Sequence, residues 1–345
     1  VLVVVMLGLA YTILTVGATV ATLTGKSIKV GAGGGVKALK KAKAKAPPAK
    51  PFSEQHLKIF GTATAIAGVA TLITSGGNAL TRKPIAKFSE ACFLTCFTVV
   101  SYVWAARLPT DFVKVVHPLV TCCVMILALV KGMSIVLGGR SFHDILRSYK
   151  VGSIDLKKAG SGDILLAFLG PSAVSFAISM FGKRALLSKN LLTILAAVMV
   201  SSVGGLFGTA AFVRLIKLGG QGLGSRTVRL SMLSRNVTTA LALALTNMIG
   251  GDLSLAAAVV CLTGVMGATY GKPFLAYFGI TDPIMRGLCI GSSAQGLGVA
   301  SMADESEAFP FAAIAMVLTA VTSTTLVTFP SVKSALVKLA TGSKI

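Results

Sequence analysis

Acidic side chains are scarce in this chain. Only 11 Asp and Glu stand against 33 Lys and Arg among 345 residues, and charged residues make up 13%. Soluble globular domains carry about a quarter charged residues. Apolar residues reach 54%, with a mean hydropathy of +0.83. This composition excludes an ordinary soluble enzyme, a disordered tail and a disulfide-framed secreted module, and it predicts an integral membrane protein within a lipid bilayer.

Histidine and cysteine are also sparse, with 3 His and 6 Cys. The cysteines lie inside apolar runs without the paired C-x-x-C spacing of a zinc site, so we expect no metal and no cofactor. The apolar runs hold too few acids and histidines to assemble a nucleophile, a base and an orienting carboxylate, so we expect no enzyme. Most of the basic excess lies between the apolar runs, where it orients helices rather than binding nucleic acid.

Long apolar runs are the main feature that is present. A membrane span needs about 20 mostly apolar residues, and the chain has about ten such runs. They predict an all-α, polytopic transmembrane helical bundle. Val1 already lies in an apolar run, so we expect the chain to begin inside a longer precursor. The runs are residues 1–24, 57–80, 86–107, 112–138, 162–181, 190–216, 229–250, 253–279, 283–302 and 308–330.

Hydrophilic stretches divide these runs. Residues 25–51 combine a glycine cluster, eight lysines and the pair Pro47 and Pro48. Such a stretch cannot bury a core, so it is predicted to be a flexible, solvated linker on the positively charged side of the membrane. A second hydrophilic connection covers residues 139–161.

Small and polar residues interrupt three of the apolar runs: one at Pro171, one at Arg235, and one across the glycines and serines of residues 282–308. In lipid, a break in a helix is tolerated only where protein or a water-filled cavity covers the freed backbone groups. We therefore expect discontinuous helices. The first two breaks are each followed about 19 residues later by a longer run, which is compatible with an inverted repeat around a binding site near the midplane.

Arg235 and Arg286 each lie within an interrupted run. An intramembrane arginine is costly and is usually paired or functional, and its planar fork suits a carboxylate. The alternative is that either one reaches the membrane interface along its aliphatic stem. For the third run, the alternative is that its small residues only pack helices together.

Four other polar residues stand at the ends of runs. Asp163, Asp252 and Asp282 are expected to cap helix N-termini, and His117, before Pro118, is expected to form a helix-start turn. A charge or proton role is the alternative for Asp163 and His117, as it is for Arg286.

Five segments carry a resemblance to a known family: LGPSAVSFAISMF (169–181), SRNVTTALAL (234–243), GDLSLAAAVVCLTGVMGA (251–268), DPIMRGLCIGSSAQGLGVASM (282–302) and EAFPFAAIAMVLTAV (307–321). Through these segments taken together, the chain resembles the LrgB/CidB membrane family, most closely its plastidal glycolate/glycerate translocator branch. The resemblance assigns 112–340 to an LrgB-like transport domain. It assigns 52–111 to LrgA-like transmembrane helices, and 1–24 to a transmembrane helix from an upstream LrgA-like portion.

The resemblance implies a carrier of the chloroplast inner envelope that exchanges glycolate and glycerate in photorespiration, as an antiporter or with proton coupling. Bacterial relatives are described as holin-like regulators of murein hydrolases, and some are linked to pyruvate uptake. A holin-like pore or murein hydrolase regulator, which implies a homo-oligomer, is therefore the alternative.

The interrupted runs and the resemblance together predict a substrate site in which Arg235 binds the carboxylate. Hydrogen bonds to the hydroxyl are expected from Ser172, Asn236, Thr238, Thr239 and Ser293, and the site also includes Pro171, Ser175, Ser292 and Gln295.

The chain departs from the family pattern at three positions of this region. Gln295 stands where the family has His, Val299 where it has Thr, and Ser234 where it has Pro. Glutamine does not titrate, so a coupling proton carried by that histidine has no counterpart here.

Overall fold

The computed structural model describes residues 1–26, 52–75, 84–136, 140–153, 155, 158–220 and 223–342. Apart from Gly25 and Lys26, the predicted linker 25–51 lies outside these residues. Every regular element in the described residues is a helix. The helices are α1 (Leu2–Thr24), α2 (Glu54–Ser75), α3 (Pro84–Ala106), α4 (Thr110–Val115), α5 (Pro118–Val136), α6 (Phe142–Tyr149), α7 (Ser161–Ala167), α8 (Leu169–Gly182), α9 (Arg184–Lys189), α10 (Leu191–Leu215), α11 (Leu223–Ser231), α12 (Thr239–Ile249), α13 (Leu253–Tyr277), α14 (Pro283–Ser301), α15 (Phe309–Thr328) and α16 (Pro330–Thr341).

Seven helices in the described ranges are long and apolar enough to cross a membrane, namely α1, α2, α3, α5, α10, α13 and α15. In each helix the backbone N–H and C=O groups pair with each other, as a lipid environment requires. The prediction of a polytopic helical bundle is confirmed, and the chain is an integral membrane protein.

The three interrupted runs form discontinuous helices. The run 162–181 divides into α7 and α8 at Phe168, and the run 229–250 divides into α11 and α12 around a turn at 232–238. The third run forms α14, in which Gln295 has a non-helical backbone at φ 53° and ψ −150°. The 25-residue helices α10 and α13 follow the first two breaks, and the inverted repeat stays a prediction.

Contacts divide the chain into two units. One contains residues 47–175, and the other contains residues 1–46 and 176–345, with the division falling inside α8. The division into LrgA-like helices at 52–111 and an LrgB-like domain at 112–340, with α1 from an upstream portion, stays a prediction. In the structure, α1 belongs to the same compact unit as the C-terminal helices. We call this second unit the Arg235 unit.

The 47–175 unit is built around α3, which packs against α2, α5 and α7. Its small core comprises Leu94, Val130, Met133 and Ile145. Near one end of α3, Arg140 Nη1 donates to Glu90 Oε2 at 2.6 Å. Because the two charges are paired, neither is left uncompensated at the edge of an apolar helix.

The Arg235 unit is organised around α1 and α14. The buried residues Leu9, Ile13, Val16 and Val20 form one stripe of α1 at spacings of three and four, as one face of a helix requires. This helix packs against α10, α13 and α14. α14 in turn packs against α13 and α15, and α12 lies against α13 and α15.

Glycines allow α14 to approach α15 closely. A Cβ added at Gly287 would lie 2.2 Å from Ala308 O, and one added at Gly291 would lie 2.1 Å from Ala312 O. Close backbone approach of this kind is how transmembrane helices gain packing energy without a hydrophobic driving force. For these two glycines, helix packing is therefore a sufficient explanation.

We expect Gly291→Ala to lower the thermal midpoint of the purified protein, because overpacking of a close interface costs about 1–3 kcal/mol. Gly296→Ala is the matched control on the same helix, since the nearest atom to its added Cβ, Met316 Sδ, is 3.9 Å away. Thermal unfolding in detergent measures both. Equal midpoints for the two variants would contradict this account of the α14–α15 contact.

Candidate functional site

Arg235 lies in the turn that joins α11 to α12 and is only 1% exposed. Within the turn, Arg235 N donates to Met232 O at 3.3 Å and Val237 N donates to Ser234 O at 3.0 Å. Thr238 has φ −59° and ψ 144°, so the backbone leaves the turn extended and α12 begins at Thr239. The break therefore carries Arg235 into the packed interior of the unit.

The Arg235 guanidinium is held by neutral oxygen atoms from α1 and α10. Its Nε donates to Thr209 Oγ1 at 3.0 Å. Its Nη2 donates to Gly8 O at 2.9 Å and to Thr12 Oγ1 at 3.1 Å. A Cβ added at Gly8 would lie 2.5 Å from Arg235 Cζ, so glycine is what lets the side chain fit against α1.

No negative charge compensates this guanidinium in the described part of the chain. None of the ion pairs among the described residues involves Arg235, and its Nη1 is buried without a hydrogen-bond partner. A charge at membrane depth is normally paired, because the cost of removing it from water is large. The structure therefore holds one buried positive charge with one donor free.

Asn236 is buried next to Arg235 in the chain, with 2% exposure. Its Nδ2 donates to Ser201 O of α10 at 3.4 Å, whereas its Oδ1 has no partner. A Cβ added at Gly205 would lie 2.5 Å from Asn236 Nδ2. The small residue at position 205 thus makes room for the amide.

Gln295 links the kink of α14 to the same turn, because its Nε2 donates to Arg235 O. Its φ of 53° lies in the left-handed region, where a residue with a Cβ costs about 1–2 kcal/mol. The hydrogen bond satisfies a carbonyl that the break would otherwise leave free. Two discontinuous segments, the turn at 232–238 and α14, are therefore connected at the backbone carbonyl of Arg235.

A cavity of about 480 Å³ reaches Arg235 from between α1 and α10. The polar side chains in its lining are those of Arg235, Thr209 and Tyr11, and its other walls are mainly apolar. The lining residues are Val4, Leu7, Gly8, Tyr11, Gly208, Thr209, Ala211, Phe212, Leu215 and Arg235. The cavity is large enough for a small organic anion.

The predicted serines of α14 are not directed to Arg235. Ser292 and Ser293 are fully buried, and their hydroxyls donate to Leu288 O and Cys289 O of their own helix, each at 2.6 Å. Thr239 is exposed, at the first turn of α12, and Thr238 is half-buried. Of the predicted residues, the structure brings together Arg235, Asn236 and Gln295.

The predicted residues around the first break lie in the other unit. Pro171 and Ser175 are exposed and belong to the 47–175 unit. Ser172 lies within α8, and its side chain is outside the described residues. Their place in a substrate site stays a prediction.

Arg286 lies in an ion-pair network. Its Nε donates to Glu305 Oε2 at 2.7 Å and its Nη2 to Glu305 Oε1 at 2.6 Å, and Lys272 Nζ is 3.7 Å from the same carboxylate. This bidentate geometry neutralises the arginine. Unlike Arg235, it has no free charge to offer a ligand.

The side chains of Asp163 and His117 each accept hydrogen bonds from backbone amides near the start of a helix. The Asp163 carboxylate accepts from the amides of Val151, Gly152 and Gly160 at 2.9–3.0 Å, before and at the beginning of α7. His117 Nδ1 accepts from Leu119 N at 3.2 Å where α5 begins. Both contacts match the expected capping and turn roles, and a proton role for either residue stays a prediction.

Sequence reasoning missed five residues around the guanidinium and its neighbour: Gly8, Thr12, Ser201, Gly205 and Thr209. A spacing of four residues was the available signal, since Gly8 and Thr12 share a face of α1, and Ser201, Gly205 and Thr209 share a face of α10. Small and polar residues at that spacing on an apolar helix indicate a close contact rather than a lipid face.

Comparison with known proteins identifies the family of this chain. The model of the LrgB-like family matches residues 98–331, which include α10 to α14. The chain belongs to the LrgB-like family. The resemblance predicted from the sequence is thereby confirmed, and no solved structure matches the chain.

One relative of this LrgB-like chain is plastidal glycolate/glycerate translocator 1, chloroplastic, from Arabidopsis thaliana. The two are 36% identical over 249 residues, which cover 71% of this chain and 46% of the relative. The chain thus spans less than half the length of this relative. Gly8 and Thr12, which hold the guanidinium, lie upstream of the segment that the family model matches.

Two substitutions of Gln295 distinguish the effect of its strained backbone on stability from the effect of its hydrogen bond. We expect Gln295→Leu to lower the thermal midpoint more than Gln295→Gly, because both lose the bond to Arg235 O but only glycine relieves a strain of about 1–2 kcal/mol. Thermal unfolding of both variants beside wild type checks this order. A lower midpoint for the glycine variant would contradict the strained backbone.

Proposed function

We propose that this protein is a secondary transporter of small monocarboxylates and that Arg235 binds the substrate carboxylate. The observation that carries the proposal is a buried guanidinium with a free Nη1 and no described carboxylate beside it. A substrate anion supplies the missing charge and the missing acceptor together. Binding thus stabilises an arrangement that is costly when the site is empty.

The surroundings of Arg235 suit an anion that binds and leaves rather than one that stays bound. Neutral oxygens of Gly8, Thr12 and Thr209 orient the guanidinium without neutralising it. An internal carboxylate in their place would compete with the substrate. The cavity between α1 and α10 supplies a route to the site. Substrate held at broken helices is the arrangement that alternating access uses.

The name of the Arabidopsis relative supports glycolate and glycerate as the substrates. The name also calls that relative plastidal and chloroplastic, which supports placing this protein in the chloroplast; the inner envelope and photorespiration are the finer parts of the same proposal. Among the described contacts of Arg235 there is no carboxylate or histidine to carry a proton. This favours exchange of one anion for another over proton coupling.

Counterflow of radiolabelled glycolate into proteoliposomes loaded with glycerate tests the proposal. We expect saturable exchange by wild type and a loss of at least about a hundredfold in Arg235→Ala, since a hydrogen bond to a charged group and the charge itself are removed. Arg235→Lys keeps the charge but not the fork, so intermediate exchange is expected.

Arg184→Ala is the matched control, because Arg184 lies at an exposed position over the Phe181 ring. Its exchange should equal that of wild type. Equal leakage of glycolate and mannitol through wild type would contradict the carrier and favour the holin-like pore. Saturable exchange that Arg235→Ala retains would contradict the role of Arg235.

A further inference from the structure

Two buried polar atoms in adjacent residues have no hydrogen-bond partner, Arg235 Nη1 and Asn236 Oδ1. Their requirements are opposite, because a guanidinium only donates and an amide oxygen only accepts. Leaving either group unpaired in a dry interior is costly. One small ligand that carries both an acceptor and a donor would satisfy both atoms.

The two side chains reach the same face of α10. Arg235 Nε donates to Thr209 Oγ1, and Asn236 contacts α10 at Ser201 O and at Gly205. Positions 201, 205 and 209 follow one another at four-residue spacing, so they share a face, with about 6 Å between successive positions. The two side chains thus contact α10 about one turn apart.

A 2-hydroxy acid fits that separation. Its carboxylate and its hydroxyl are on neighbouring carbon atoms, and a hydrogen bond of about 2.8 Å at each end extends its reach to the scale of one helical turn. In such a complex the carboxylate would accept from Arg235 Nη1, and the hydroxyl would donate to Asn236 Oδ1. Both unpaired atoms are then satisfied by one molecule.

Resting on the proposed function, we propose that Asn236 accepts a hydrogen bond from the 2-hydroxyl of the substrate and thereby selects 2-hydroxy acids over 2-oxo acids. A 2-oxo acid places a second acceptor opposite Asn236 Oδ1, so two oxygens face each other without a proton between them. Sites built to bond a substrate hydroxyl strongly reject analogues that lack it.

The position of the Asn236 amide depends on Gly205. Its Nδ2 donates to Ser201 O, which directs Oδ1 away from that carbonyl. Because an added Cβ at 205 would lie 2.5 Å from Nδ2, even alanine there must displace the amide. Gly205 is thus a positioning residue for the same selectivity.

Competition against radiolabelled glycolate counterflow tests the assignment in the full-length protein. Lactate and pyruvate are the competitors, because they differ only at C2. In wild type, lactate should compete at least about tenfold better than pyruvate. Asn236→Leu, which keeps the volume but removes the acceptor, should bring the ratio to about one. Gly205→Ala should lower it by displacing the amide.

Asn247→Leu is the matched control, since Asn247 is an exposed asparagine of α12, and it should keep the wild-type ratio. Equal competition by lactate and pyruvate in wild type would overturn the assignment of Asn236 while saturable glycolate counterflow still stands. An unchanged ratio in Asn236→Leu would also overturn it. Absence of saturable counterflow would instead overturn the proposed function and this inference with it.

Discussion

A positive charge buried in an apolar bundle needs a negative partner, and the described part of this chain does not give Arg235 one. The guanidinium is almost completely buried and bonded to three neutral oxygens. Arg286, in the same unit, is the contrast, because Glu305 binds it with two parallel hydrogen bonds. One arginine is paired with a carboxylate, and the other has no charged partner among the described residues.

The fold of the Arg235 unit places this charge in the packed interior. A continuous helix would satisfy its own backbone and offer only side chains to the interior. The turn at 232–238 instead brings a short polar segment inside, and the Gln295 kink meets it through the carbonyl of Arg235. α1 and α10 complete the enclosure with small residues, of which Gly8 and Gly205 leave room for the two polar side chains.

Much of this architecture follows from the sequence. Apolar runs predict the spans because about 20 apolar residues must cross the hydrocarbon layer. Polar residues inside those runs locate the breaks, including Arg235 and Gln295. Asp252 and Asp282, expected as helix caps, accept from Leu255 N and Met285 N where α13 and α14 begin. These features depend on local patterns, which a single sequence displays.

Features that depend on tertiary contacts could not be predicted in the same way. The buried stripe of α1 looks like that of any transmembrane helix, so its packing against α10 and α14 left no local mark except the pair Gly8 and Thr12. Ser292 and Ser293 have the composition of a binding segment, but their hydroxyls bond to their own helix. Only the packed structure shows which polar atoms remain unpaired.

The central claim, that Arg235 awaits a substrate carboxylate, is tested most directly by the thermal midpoint of the purified protein as a function of glycolate concentration. A ligand that binds only the folded state raises stability with its concentration. The account predicts a saturable rise for wild type that sodium chloride at equal ionic strength does not reproduce, and no rise for Arg235→Ala. An equal rise in both proteins would contradict it.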